Sequence, residues 1–221
     1  MKVQTIFPGV FLVDGKIATV NACPRKQVYH EKLIKHEDTE YRLWDPFRSK
    51  LAATIKKQLK NFPFKKASKV LYLGASTGTT VSHVSDIIGD EGEIFAIEIS
   101  HQAIKNLLKL SEQRKNIIPI LGDARQPETY KDVGQVDIIY QDVAQPDQSD
   151  IIIANAQKFL VKNGIAMFAI KSQSIDVTKK PKEVFEIELA KLAKHFEILE
   201  KIELEPFDKD HLFVVLRKKP E

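Results

Sequence analysis

Val70-Leu71-Tyr72-Leu73-Gly74-Ala75-Ser76-Thr77-Gly78-Thr79-Thr80 reads as a buried strand running into a glycine turn and then a helix. The next apolar run, Phe95-Ala96-Ile97, stops at a carboxylate, Glu98. A charge at the end of a buried run is costly unless something pairs with it. An open α/β sheet grips an adenosine-type ligand in this way. Its glycines let the backbone come close, and an acid about 20 residues further on accepts hydrogen bonds from ribose hydroxyls.

Outward from that stretch, the pattern alternates. Strands are expected at residues 69–73, 93–98, 117–121, 136–141 and 165–171, with helices at 78–88, 101–112, 148–160 and 182–194. Short buried strands separated by helices imply a mostly parallel sheet covered on both faces. Residues 196–204 and 211–217 read as a closing antiparallel pair. That ending fits a seven-stranded, Rossmann-like class I methyltransferase fold better than a dinucleotide-binding dehydrogenase. Residues 1–45 differ. Two β-rich runs flank Asp14-Gly15, a two-residue hairpin signal, so a small N-terminal antiparallel β module is expected there, with residues 46–221 forming the main domain. Asp45-Pro46 is expected to cap a helix whose apolar face carries Phe47, Leu51, Ile55, Leu59 and Phe62. Lys179-Lys180-Pro181 reads as an exposed loop.

Composition narrows the class. The chain has 221 residues, 43% of them hydrophobic, which suits a packed core. No apolar run approaches the roughly 20 residues of a membrane span. The N-terminus lacks a signal peptide's apolar segment, so an intracellular, cytoplasmic protein is expected. One cysteine, Cys23, rules out an internal disulfide framework and a cysteine-based zinc site, and no metal is expected. The net charge of +4 is mild, but Lys56, Lys57, Lys60, Lys65, Lys66 and Lys69 cluster. They are either a solvated face or a phosphate-binding surface.

Acids recur at the carboxyl ends of the expected strands: Glu98, Asp123 in Leu121-Gly122-Asp123-Ala124, and Asp142 in Asp142-Val143-Ala144-Gln145. Ligands of open α/β sheets bind at those ends. Glu98 suits ribose hydroxyls, and Asp123 suits an exocyclic adenine amino group with the Ala124 amide beside it. Thr79 and Thr80 stand where helix-start groups could meet an amino-acid moiety. Candidate cofactor contacts are therefore Gly74, Thr79, Thr80, Glu98, Ile99, Asp123, Ala124, Asp142, Val143, Ala144 and Gln145. The glycine spacing is not the dinucleotide pattern, which favours S-adenosyl-L-methionine over a pyrophosphate ligand. Gly74-Ala75-Ser76-Thr77-Gly78 also spells a hydrolase nucleophile elbow, with Ser76, Asp142 and His211 in the required order. That rival leaves Glu98 and Asp123 unexplained.

Tyr41-Arg42-Leu43-Trp44-Asp45-Pro46-Phe47-Arg48-Ser49-Lys50-Leu51-Ala52-Ala53, the turn from Leu73 to Val84, and Asp142-Val143-Ala144-Gln145-Pro146 resemble the fibrillarin family. The resemblance runs along nearly the whole chain. No Gly/Arg-rich N-terminal extension is present, so the archaeal form is expected. Gln141 departs from the family's pattern, in which an acid precedes the Asp-Val-Ala-Gln motif. The resemblance implies guide-directed ribose 2′-O-methylation of rRNA and tRNA, as the catalytic subunit of a box C/D ribonucleoprotein. It implies Lys50, Asp142, Lys171 and His211 as catalytic residues. It also implies four partners: a guide RNA, its target RNA, a Nop-domain scaffold protein and a kink-turn-binding ribosomal-type protein. Alternatives are a methyltransferase acting without a guide on a small molecule or protein, and a non-catalytic assembly protein. Aromatics are only 8% of the chain and no RNA-recognition motif is evident, so sequence choice is expected to lie with the guide.

Overall fold

The computed structural model describes residues 1–219. Five short strands come first: β1 (Val3–Phe7), β2 (Val10–Val13), β3 (Lys16–Val20), β4 (Leu33–His36) and β5 (Thr39–Leu43). They form an antiparallel sheet in the order β1-β2-β3-β5-β4. Asp14 and Gly15 both adopt positive φ (47° and 78°), the turn that matches the twist of a two-residue hairpin.

The first helix differs from expectation. α1 (Lys50–Lys56) is capped by Ser49, whose hydroxyl accepts from the Ala52 N–H, and not by Asp45. The Asp45 carboxylate instead accepts from the Phe47 N–H at 2.9 Å, closing a turn. Asx turns compete with helix starts, and here the nearer serine provides the cap. Phe47 is consequently left 69% exposed rather than in the core. The chain leaves the helix at Lys57, Gln58 has φ +67°, and Leu59 packs into the core from non-helical backbone.

Next come β6 (Lys69–Leu73), α2 (Thr79–Ile88), β7 (Glu93–Glu98), α3 (His101–Gln113), β8 (Ile117–Leu121), a 3₁₀ segment at Pro127–Val133, β9 (Val136–Gln141) and α4 (Gln148–Phe159). β10 (Leu160–Lys171), α5 (Ser172–Ile175), α6 (Pro181–Leu192), β11 (Phe196–Glu203) and β12 (His211–Lys218) complete the chain. The seven-stranded sheet has the order β11-β12-β10-β9-β6-β7-β8. Only the β12 pairings are antiparallel. β10 starts before residue 165, and its pairing with β9 shifts between Leu160 and Ile165, where Asn163 has φ +60°. From β6 the chain runs outward through β7 and β8, then returns to the other side of β6 as β9. The sheet therefore switches direction between β6 and β9, the place where such sheets open a crevice. Among the described residues, no helix is long and apolar enough to cross a membrane.

One hydrophobic cluster joins the two sheets, running from Val10 and Ile17 through Trp44 to Val81 and Val84. Trp44 is 1% exposed and stacks on His83 at 4.6 Å, which places it in the core. Beside it lies a buried ionic network that sequence patterning did not reveal. Arg42 bonds Glu31 (2.7 Å) and Asp86 (2.7 Å), and Arg114 bonds the other oxygen of Asp86.

Thr19 donates its hydroxyl hydrogen to Asp86, so its oxygen accepts from His83 Nδ1 at 2.8 Å. His83 Nε2 is then the acceptor for the Tyr29 hydroxyl at 2.7 Å. Burial, followed by the charges of Arg42 and Arg114, pushes the His83 pKa well below its ordinary value of 6.5. Below that value the unfolded chain binds a proton that the folded chain refuses. Stability should fall as the pH drops, by about 1.4 kcal/mol per unit from this residue. Urea midpoints between pH 7 and 5 should slope less steeply for His83→Asn; an identical slope would remove His83 from the account.

Candidate active site

A cavity of about 180 Å³ opens at the carboxyl ends of β6, β7, β8 and β9. Gly74, Glu98, Ile99, Asp123, Ala124, Asp142, Val143, Ala144 and Gln145 all line it, with Ser76 and Gly122. Of the candidate cofactor contacts, only the two threonines lie outside. Thr79 lines a separate depression with Asn106 and Lys109. Thr80 is buried, with its hydroxyl 2.9 Å from that of Ser49, so it ties the start of α2 to the cap of α1. Helix-start position alone could not tell which way either side chain points.

The glycine turn is built around Glu98. The Gly74 and Ala75 N–H groups both donate to the Ile97 carbonyl at 3.0 Å. Glu98 Oε2 accepts from the Ser76 N–H (2.6 Å) and Oε1 from the Ser100 N–H (2.8 Å). These bonds offset the cost of burying a carboxylate that is only 8% exposed. Gly74 has φ +80°, and a Cβ there would stand 3.0 Å from the Asp142 carbonyl oxygen and 3.2 Å from Val143. The turn therefore packs directly against the Asp142 segment. Opposite, Arg125 Nη2 bonds the Asp123 carboxylate at 2.6 Å and holds its pKa below the usual range, against the opposing effect of burial. The Ala124 carbonyl is fixed by the buried Asn155 amide (2.9 Å), whose own oxygen accepts from Tyr130.

At the next two strand ends the structure brings Lys50, Asp142, Lys171 and His211 into one chain of contacts. Lys171 Nζ lies 2.7 Å from Asp142 Oδ1 and 3.1 Å from the Asp142 carbonyl oxygen. Lys50 Nζ lies 3.1 Å from the same carboxylate oxygen. Lys50 also pairs with Asp208 at 3.5 Å, and Asp208 Oδ1 lies 3.1 Å from His211 Nδ1, whose nearer partner is the Lys209 carbonyl oxygen at 2.6 Å. Register accounts for part of this, because Lys171 and His211 are directly opposed on β10 and β12. Asp208 was not anticipated. It sits on the loop before β12, where no periodicity marks it, and an acid three residues before a candidate histidine was the available signal. Burial lowers the Lys50 pKa, but the charges of Asp142 and Asp208 outweigh it and raise the value above 10.5. Lys50 is held as an ammonium at neutral pH.

Gln148 clamps the Lys171 backbone on both sides: its Oε1 accepts from the Lys171 N–H (3.0 Å) and its Nε2 donates to the Lys171 carbonyl (3.4 Å). Gln141 in turn donates to the Gln148 carbonyl at 2.8 Å and is 1% exposed. A carboxylate at position 141 has no hydrogen to donate at neutral pH, which gives the departure at Gln141 a physical meaning. The hydrolase relay is not assembled. Among the described residues no hydrogen bond joins Ser76 to His211, and Asp142 is occupied by two lysines.

A seven-stranded sheet with an antiparallel closing hairpin and an acid-lined crevice at its switch point is the class I methyltransferase architecture. The chain matches the Fibrillarin family model over residues 1–220. A fibrillarin-like rRNA/tRNA 2′-O-methyltransferase of Pyrococcus abyssi is 53% identical over 218 residues, covering 96% of each chain. The structure superposes on Aeropyrum pernix fibrillarin in complex with natively bound S-adenosyl-L-methionine with TM-score 0.88 and 42% identity, covering 98% of this chain and 99% of that one. It superposes on fibrillarin in a fibrillarin/Nop5p complex with TM-score 0.90 and 40% identity, covering 97% and 100%. The chain belongs to the fibrillarin family.

Proposed function

We propose that this chain transfers a methyl group from S-adenosyl-L-methionine to a ribose 2′-oxygen of rRNA or tRNA. It works as the catalytic subunit of a guide-directed box C/D ribonucleoprotein, with residues 46–221 as the catalytic domain and residues 1–45 as an accessory module. The observation that carries the reading is the Lys50–Asp142–Lys171 cluster standing on the segment that also walls the crevice. The names of the relatives support the reaction and the cofactor, and the Nop5p complex supports a Nop-domain scaffold.

The crevice fits the cofactor by the chemistry of its groups. Glu98 would accept from the ribose hydroxyls, Asp123 and Ala124 would meet the adenine, and Gly74 leaves the space that a Cβ would take. When bound, the cofactor supplies an electrophilic methyl group, so the protein needs only to align the acceptor oxygen and remove its proton. Asp142 orients Lys171 by accepting a hydrogen bond at its carbonyl oxygen and by holding its carboxylate against the same nitrogen as an ion pair. As the free amine, Lys171 takes the 2′-hydroxyl proton on its lone pair and becomes the ammonium that stabilises the forming alkoxide. Lys50, permanently charged, adds positive potential and, with His211, holds the ribose and its phosphate. No group here reads base sequence, so we assign that task to a guide RNA, delivered by the scaffold and a kink-turn-binding protein.

Gly74→Ala should place a side chain in left-handed backbone at a cost of about 1–2 kcal/mol and push the Asp142 segment. Calorimetry should then show weaker uptake of S-adenosyl-L-methionine by a chain that remains folded. The function itself is tested by methyl transfer from labelled cofactor, with and without a box C/D guide and both protein partners. Label should appear at one ribose of the target, and only with the guide. Equal labelling without it would favour a guide-independent methyltransferase.

A further inference from the structure

Phe47 and Phe207 form an aromatic pair at the edge of the catalytic cluster, with ring centroids 5.1 Å apart at 64°. Phe47 is 69% exposed, while Phe207 is partly buried against the core. The backbone under each ring is tied down. The Phe47 N–H donates to Asp45, and the Phe207 N–H donates to Leu204, whose own N–H is tied to His211. Lys57 Nζ fastens the same loop through the Glu205 carbonyl at 2.9 Å. Phe47 precedes Lys50 by one short turn, and Phe207 adjoins Asp208, which pairs with Lys50 and lies 3.1 Å from His211 Nδ1.

From Phe47 a cleft of about 440 Å³ runs over the N-terminal sheet. Lys16, Lys32, Arg48 and Lys56 line it. Of its two acids, Glu31 is ion-paired with Arg42, while Asp45 accepts only the Phe47 N–H and keeps its charge. Four cations against one unpaired acid make the cleft net positive over a largely apolar floor that includes Ile17, Leu43 and Pro46, and Phe47 at its end is three residues from Lys50.

We propose that Phe47, braced by Phe207, seats the target RNA strand by packing against the sugar edge of the nucleotide beside the one methylated, while the adjoining cationic cleft holds that strand's phosphates. This rests on the ribose-methyltransferase reading above. A 2′-hydroxyl of paired RNA lies in a wide, shallow groove lined by sugars, which side chains meet by shape rather than sequence. A protruding, apolar ring suits that surface, and lysines beside it suit the phosphates. A protein partner fits the position less well, because a protein seated on Phe47 would crowd the cluster that the ribose must reach.

The test uses the full chain in a reconstituted complex with guide, target and both partner proteins. Phe47→Ala should raise KM for target RNA by about tenfold at unchanged kcat, the scale of losing one aromatic contact to a nucleoside. Scaffold binding and S-adenosyl-L-methionine uptake should be unchanged, and Phe47→Tyr should restore KM. The slope of log affinity against log salt should stay the same for Phe47→Ala and fall by about one for Lys56→Ala. A benzophenone amino acid at position 47 gives an independent readout, and should crosslink to the target strand next to the modified nucleotide. An unchanged KM, a lost scaffold interaction, or crosslinks to protein alone would overturn the proposal. If the wild-type complex methylates no ribose, the underlying reading falls first and takes this one with it.

Discussion

Lys171→Ala is expected to reduce single-turnover methyl transfer by about 10²–10⁴-fold, the range for removing a group that handles a proton in the transition state. Cofactor binding should persist, because Lys171 stands outside the residues lining the crevice. The side chain is only 11% exposed, and its two contacts to Asp142 aim it. Lys171→Arg should fail nearly as badly. A guanidinium keeps its charge and cannot take up a proton, and its planar fork is not interchangeable with a lysine amine. The carboxylates of Asp142 and Asp208 raise the Lys50 pKa, so a loss at Lys50 should weaken transfer through lost positive charge rather than a lost base. Undiminished single-turnover methylation by Lys171→Ala would remove the role assigned to it.

The second large effect concerns stability. Arg42→Ala is expected to cost about 3–5 kcal/mol, the usual penalty for leaving a buried ionic partner uncompensated. Arg42 is fully buried, as are the side chains of its partners Glu31 and Asp86. Asp86 keeps Arg114, but the Glu31 carboxylate would keep only backbone donors, at Val28 and Tyr29. These groups join the N-terminal sheet to α2, so loosening should begin at that junction. Urea denaturation gives the total cost, and hydrogen exchange should show early loss of protection in β3 and β5. Replacing Glu31 by Gln in the same chain should recover part of the loss, because the unpaired charge is then gone. An unchanged urea midpoint for Arg42→Ala would show that the network contributes nothing.

Much of the scaffold was legible because its signals are local. A β-branched run must be buried, a glycine turn must follow where backbone comes close, and strands parallel to one another need helices between them. Those rules locate β6 through β12 to within a few residues, apart from the early start of β10. The acids at the strand ends were legible for the same reason, since a sheet presents its carboxyl ends on one edge. The misreading at α1 has a local cause as well. Asp45-Pro46 and Ser49 are both acceptable starts, and the choice went to the residue whose hydroxyl also meets Thr80. The clamps on Lys171 and Ala124 come from Gln148 and Asn155, residues with no pattern to mark them.

By itself the sequence determined the strand and helix alternation, the glycine turn and the order of carboxylates along the chain, because each depends on residues near one another. Folding alone decided which side chains share a charge. Asp208, Lys50 and Asp142 lie far apart in the chain and meet at 3.1–3.5 Å. Arg42, Asp86 and Arg114 likewise meet only across the junction of two sheets. Ion pairs form between surfaces that packing brings into contact, and their strength depends on the water that packing excludes. Neither property belongs to any short stretch of the chain.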